Sequence, residues 1–379
     1  MIKRINQTHN TMNKILLIAL ATLLWSCSGQ EGYKIRGVIT GEEITDGKAY
    51  LANLARAETF TDTTDLINGK FIFKGKVETP ENYIITVEGI TGRILFFLDN
   101  SNISIEATAE DFSKATVTGG VTNDLIVKLN KEKAEISKKY DIDNLLEEFY
   151  KEETSQERKD EILEVYEEAR KESKILDSLF FANNPNSFYT ISQLIQQVEE
   201  HPVEEMEAKV QKYQALKQFK GNRYLNDLTN AVNTLKTLQP GMQAPEFTLN
   251  DPDGNPVSLS SVYSQHEITM IDFWAGWCGP CRRFNPTLVK IYDKFKDSGF
   301  GIIGVSLDNS KELWTRAIEE DKLTWVQVSD LEYWNSAAAQ LYYVRLIPQN
   351  IFVDRDGKIV KRRVDKDEIE GFLTEFLGL

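Results

Sequence analysis

Along the chain, the spacing of hydrophobic residues changes twice. Between residues 33 and 118 apolar and polar positions alternate, as in Tyr33-Lys34-Ile35-Arg36-Gly37-Val38-Ile39 and Asn102-Ile103-Ser104-Ile105-Glu106, the period of half-buried strands. Asn68-Gly69, set between Leu66-Ile67 and Phe71-Ile72-Phe73, signals a two-residue hairpin. Asp99-Asn100 and Gly119-Gly120 add further turns. The pattern predicts about six to nine strands forming a small all-β sandwich or open barrel over residues 33–120. From residue 121 to 238 the period becomes helical. Leu125, Leu129, Ile136 and Tyr140 share a face, as do Ile162, Tyr166, Ala169, Leu176 and Phe180. Asn183-Asn184-Pro185-Asn186 breaks the run, and Ser187 is a candidate N-cap for a helix carrying Phe188, Ile191, Ile195 and Val198. Pro202 suits the first turn of the next helix, with Val203, Met206, Val210 and Tyr213 facing inward, and Tyr224, Leu228, Val232 and Leu235 mark another. The Glu/Lys-rich run at 147–174 reads as a solvated amphipathic helix, because no heptad persists.

Gln239-Pro240-Gly241 is the clearest boundary. Beyond it, over residues 241–379, strands and helices alternate. Residues 244–259 form an edge hairpin, and 270–274, 300–307, 325–328 and 351–354 read as strands. Segments 311–321, 334–342 and 369–376 read as helices. Such alternation implies an α/β domain with a partly parallel sheet covered on both faces.

Composition narrows the picture. A net charge of −14 over 379 residues argues against nucleic acid and against an anionic membrane surface as electrostatic partners. Residues 1–27 have a targeting pattern. Lys3, Arg4 and Lys14 precede an apolar run from Ile15 to Trp25 that is shorter than the roughly 20 residues needed to span a bilayer. Leu24-Trp25-Ser26-Cys27 resembles a bacterial lipobox. That resemblance implies cleavage before Cys27, lipidation of its thiol, and a polar tether over residues 28–32. The mature protein would then be a periplasm-facing lipoprotein of the cell envelope. Ser28 weakly favours the outer over the inner membrane.

The chemistry is concentrated at Met270-Ile271-Asp272-Phe273-Trp274-Ala275-Gly276-Trp277-Cys278-Gly279-Pro280-Cys281. An apolar strand runs directly into a helix start, with Pro280 tolerated in the first turn. Cys278 then sits at a helix N-terminus, where the macrodipole and unpaired N–H groups lower a thiol's pKa from its free value of roughly 8.5. Cys281 lies one turn further in, within disulfide reach. A zinc site would need two more ligands, and the only other cysteine and histidines are Cys27, His9, His201 and His266. No metal or cofactor is expected.

Trp277-Cys278-Gly279-Pro280-Cys281 resembles the active-site sequence of the thioredoxin superfamily. Asp272 falls in the place of that family's buried acid, and Pro286 in the place of its helix-kinking proline. The hairpin at 244–259 is similar to the extension shared by TlpA-like and peroxiredoxin branches. The β-region resembles an uncharacterised domain that precedes thioredoxin domains in lipoproteins of Bacteroidetes. These resemblances imply a TlpA-like or ResA-like thiol-disulfide oxidoreductase acting on protein disulfides or dithiols. Cys278 would be the nucleophile, exposed to its partner, and Cys281 the more buried resolving thiol. Asp272, its pKa raised by desolvation, would be the base. Pro348 matches the family's cis proline and would set Ile347 beside Cys278 as a strand-like edge for substrate. Trp277, Gly279 and Pro280 would flank the groove, and Trp274 would be core.

Gly279-Pro280 favours a reductant over an oxidant, which outside the cytoplasm implies a membrane electron donor. Several cytochrome-maturation relatives carry an acidic residue between the cysteines, and this chain does not. An oxidase or isomerase using the same pair is the alternative, as is a front half (33–238) that recruits a redox partner. A peroxidase is disfavoured, because Ala275 stands where peroxiredoxins place Thr or Ser.

Overall fold

The computed structural model describes residues 32–41, 44, 46–56 and 60–379. The targeting pattern, Cys27 and most of the tether lie outside the described residues. Two compact units form. One holds the described residues up to Gln193 with Leu216–Tyr224, and the other holds Leu194–Ala215 with Leu225–Leu379. The helical stretch at 121–238 is shared between them.

In the first unit, strands β1 (Tyr33–Thr40), β2 (Gly47–Asn53), β3 (Phe60–Leu66), β4 (Lys70–Gly75), β5 (Glu81–Val87), β6 (Ile94–Leu98), β7 (Asn102–Thr108) and β8 (Thr116–Thr118) build two four-stranded sheets. Their orders are β4-β1-β7-β8 and β3-β2-β5-β6. Inward residues of both sheets, among them Ile35, Leu51, Phe73, Ile85 and Ile105, share one core. The β3–β4 hairpin turns at Asn68 (φ 52°) and Gly69 (φ 71°), the doubly left-handed turn that matches strand twist. A Cβ on Gly69 would meet the Ile39 carbonyl oxygen at 2.3 Å, so only glycine fits.

Helices α1 (Val121–Lys139), α2 (Ile142–Phe149) and α3 (Gln156–Asn183) follow. Ser155 caps α3 through its hydroxyl, which accepts from the Arg158 N–H. Tyr166, expected to face inward, is exposed on α3; this long helix keeps Ile162, Ala169 and Phe180 buried and leaves most other positions to solvent. Buried Asn123 ties the start of α1 to β6. Its amide oxygen accepts from the Phe97 N–H (2.9 Å), and its Nδ2 donates to the Phe97 carbonyl (2.8 Å). Next come α4 (Phe188–Gln196), α5 (Val203–Gln214) and α6 (Arg223–Thr237). Ser187 Oγ accepts from the Thr190 N–H at the start of α4. Pro202 occupies the cap position before α5 rather than its first turn.

The second unit is built on a seven-stranded sheet of order β10-β9-β13-β12-β11-β14-β15. In chain order its elements are β9 (Thr248–Asn250), β10 (Pro256–Ser258), α7 (Leu259–Tyr263), β11 (Ile268–Trp274), α8 (Gly279–Phe295), β12 (Phe300–Ser306), α9 (Lys311–Asp321), β13 (Val326–Ser329), α10 (Ala337–Leu341), β14 (Gln349–Asp354), β15 (Ile359–Arg362) and α11 (Ile369–Leu377). Strand β11 runs parallel to β12 and antiparallel to β14. It is buried at every position, as a central strand covered on both faces must be. This is a thioredoxin fold. Trp334, expected in a helix over 334–342, lies instead in a 3-10 turn (Tyr333–Asn335) ahead of the short α10. Among the described residues, no helix is long and apolar enough to cross a membrane.

Asn123→Ala should leave the Phe97 N–H and C=O buried and unpaired, costing about 2–4 kcal/mol. Its denaturant midpoint, followed by circular dichroism, is the measurement.

Candidate active site

The site forms where β11 ends and α8 begins. Strands β12 and β14 pin β11 from both sides, so the position of its carboxyl end is fixed. The chain then turns at Ala275–Trp277, and Cys278 becomes the N-cap of α8, with Pro280 in the first turn. The Cys278 sulfur accepts from the Cys281 N–H at 3.2 Å, satisfying one of the N–H groups a helix start leaves orphaned. Cys278 and Cys281 are joined as a disulfide, with their Cα atoms 5.3 Å apart. Cys281 is 1% exposed and Cys278 4%. The expected exposure of Cys278 is therefore not found in this oxidised form. Its sulfur is enclosed by the first turn of α8 and by the Ile347 carbonyl oxygen, 3.8 Å away.

That carbonyl belongs to the cis peptide Ile347–Pro348, which brings the start of β14 against the cysteines. Gly279, Pro280 and Pro348 are exposed around the pair, and Ile347 is half-buried. Trp277 is 40% exposed, and its Nε1 donates to the Leu307 carbonyl at 3.3 Å. Trp274 is buried in the core and donates from Nε1 to Gln327 Oε1 at 3.0 Å.

Asp272 is buried on β11, opposite Gly304 of β12 and Asn350 of β14. Burial pushes its carboxyl up to about 7. It lines a cleft of about 490 Å³ together with Pro280, Phe284 and Pro348, so the acid and the active-site helix share one solvent-connected space. A carboxyl with that pKa exchanges protons near neutral pH. Among the described residues, no cluster of His, Cys, Asp or Glu could hold a metal ion.

Local sequence signals did not reveal several residues that support the site. Asp308, fully buried just beyond β12, accepts from the Gly276 N–H at 2.8 Å and from Ser306 Oγ at 2.7 Å. The Leu307 N–H donates to the Trp274 carbonyl at 2.8 Å. The end of β12 thus grips the loop that leads into Cys278. Gly276 is tightly enclosed: a Cβ there would lie 3.1 Å from the Ala317 Cβ and 3.2 Å from the Leu313 carbonyl oxygen, so these neighbours would have to give by a few tenths of an ångström. Arg282 donates to both oxygens of Asp321 and to the Gly276 carbonyl, and Asn285 donates to Asp321 at 2.7 Å. The available clue was an Asp and a Ser at the carboxyl end of a parallel strand, where α/β sheets place their sites.

Comparisons with known proteins agree with this geometry. The redoxin family model matches residues 239–375, and a domain of unknown function, DUF4369, matches residues 33–126. The thiol-disulfide oxidoreductase ResA of Oceanobacillus iheyensis is 29% identical over 155 residues, which cover 39% of this chain and 78% of that one. ResA of Bacillus subtilis is 28% identical over 133 residues, covering 35% and 72%. The thioredoxin domain of a Bacteroides vulgatus thiol-disulfide oxidoreductase is 38% identical, covering 37% of this chain and 99% of that one, with a TM-score of 0.34. With a redoxin match over residues 239–375, ResA relatives aligned to the same region and a cysteine pair joined in a thioredoxin fold, the C-terminal domain is a redoxin-type thiol-disulfide oxidoreductase domain.

Proposed function

We propose that this enzyme reduces disulfides of proteins outside the cytoplasm while held to a membrane by a lipid on Cys27. The observation that carries the reading is Cys278 as the sulfur cap of α8, facing the Ile347 carbonyl. In the reduced enzyme the Cys278 thiolate, favoured by the helix N-terminus, attacks one sulfur of the partner's disulfide. A bond forms between Cys278 and that sulfur, and the partner's own S–S bond breaks, releasing a thiolate. Asp272, ionised, takes the Cys281 proton through water in the shared cleft. The Cys281 thiolate then attacks Cys278, re-forming the enzyme disulfide and freeing the partner's second thiol. Two electrons pass to the partner, and a dithiol donor at the membrane restores the enzyme. Ile347 and Pro348 offer a backbone edge to the bound segment, and Trp277, Gly279 and Pro280 flank it.

Gly279-Pro280 between the cysteines supports the reducing direction. The couple should equilibrate near −250 mV or below, in the thioredoxin range of about −270 mV. Titration of the protein from Ser28 onward against dithiothreitol, read by tryptophan fluorescence, tests this. A value above about −180 mV would assign oxidation or isomerisation to the same pair. In cells, Cys27→Ser should abolish incorporation of an alkyne-labelled fatty acid.

The proton role of Asp272 has a pH signature. Its folded pKa of about 7 stands above the unfolded value of roughly 3.9. Between those values the folded chain holds a proton that the unfolded chain has lost. The stability contributed by this residue is thus complete below about pH 4 and lost as pH rises through about 7. Asp272→Asn should remove that decline from urea-unfolding measurements across the range. It should also slow release of the partner from the mixed disulfide and erase the rise in that rate through about pH 7.

A further inference from the structure

The loop joining β13 to α10 turns back onto the active-site tryptophan. The ring of Trp277 lies 5.2 Å from that of Tyr333 and 6.0 Å from that of Trp334, and the latter two are 6.0 Å apart. Rings packed this closely would ordinarily be buried, yet Trp277 is 40%, Tyr333 41% and Trp334 36% exposed. The backbone is bent to hold them there. Leu331 (φ 58°) and Tyr333 (φ 55°) both adopt the left-handed conformation, which costs a residue with a side chain free energy and clusters at functional sites. Polar side chains secure the loop: Ser329 Oγ accepts from the Leu331 N–H at 3.0 Å, and the Asp330 carboxylate accepts from the Ala337 N–H at 2.9 Å. The result is a wall of three aromatic faces beginning one residue from the nucleophile. The Ile347 carbonyl also stands against Cys278, and the adjoining Leu346 is exposed.

We infer that Tyr333 and Trp334, with Trp277, form a recognition wall for the protein undergoing exchange, receiving a bulky apolar side chain close in sequence to its reacting cysteine. The inference rests on the disulfide exchange proposed at Cys278. The partner's sulfur must reach Cys278, and an extended chain advances about 3.3–3.6 Å per residue. Trp277 adjoins Cys278 in sequence and Tyr333 and Trp334 pack on its ring, so residues one to three positions from that cysteine are the ones in reach of the wall. None of the three side chains carries a charge, and aromatic faces reward apolar or aromatic contact. The occupant is an extended segment with an aromatic or large aliphatic residue at that position.

The test uses the protein from Ser28 onward, reduced, and follows its oxidation by tryptophan fluorescence. The oxidants are two synthetic peptide disulfides differing only in Phe or Ser two residues from the cysteine, a third carrying Lys there, and bis(2-hydroxyethyl) disulfide. The wild type should react with the Phe peptide about tenfold faster than with the Ser peptide. Tyr333→Gly and Trp334→Ala should bring the two rates near parity and leave the small disulfide's rate unchanged. Glycine relieves the left-handed strain, so the melting temperature of Tyr333→Gly should hold or rise, separating loss of the ring from loss of the fold. An unchanged preference in both variants would overturn the inference, as would an equal fall for peptides and the small disulfide, or a wild-type preference for Lys over Phe. Reduction of none of the disulfides by the wild type would instead sink the proposed reaction, and the inference with it.

Discussion

The active site depends on one junction, the hand-over from a fully buried strand to a helix at Cys278. Because β11 is hydrogen-bonded on both edges and covered on both faces, its end cannot drift. The chain must turn within the few residues 275–277 and then start α8 with its first N–H groups unsatisfied. A sulfur fills the role a Ser or Asp hydroxyl or carboxylate would take elsewhere. The same N–H groups that need an acceptor favour a negative sulfur. Helix capping and thiol activation are therefore one interaction, and Pro280 limits the number of donors left over.

The surroundings hold that junction in place at some cost. Asp308 is a fully buried carboxylate, and one of its oxygens has no protein partner. A group so placed destabilises the fold unless its bonds are good. Here it fixes the Gly276 N–H, and through that residue the turn carrying Trp277 and Cys278. Arg282 and Asn285 converge on Asp321 and tie the first turns of α8 to α9. Asp272 is a second buried acid, kept near neutrality by desolvation rather than by a charged neighbour. Two buried carboxyl groups near the ends of adjacent strands thus sit in different settings: Asp308 holds backbone, and Asp272 lines the cleft beside the active-site helix.

Features governed by local rules were legible in the sequence. Asn68-Gly69 dictates its turn because both residues accept positive φ. The strand-to-helix switch around Cys278 follows from an apolar run meeting Gly-Pro. Ile347-Pro348 was placed by its resemblance to the family, since composition alone does not distinguish it. Features governed by long-range register were not legible. Asp308 reaches Gly276 only because β12 lies parallel to β11. Trp334-Asn335-Ser336-Ala337 carries a helical period, but the nearby aromatic ring of Trp277 gives Trp334 somewhere to pack outside a helix. Burial of Cys278 depends on the Ile347 carbonyl, a residue 69 positions away.

Arg362 and Glu199 set a different kind of limit. The Arg362 guanidinium is largely buried at the end of β15, where it donates to Glu199 Oε1 at 3.1 Å and to the Tyr342 carbonyl at 3.3 Å. Glu199 precedes the start of the redoxin match at residue 239 by forty positions, yet it belongs to the same compact unit. Cutting the gene at the family boundary would remove Glu199, and with it the ion-pair partner that holds Arg362 in place. For expression, grafting or evolutionary shuffling, the helical residues Leu194–Ala215 and those from Leu225 onward therefore travel with the redoxin match, while the intervening Leu216–Tyr224 belongs to the other unit.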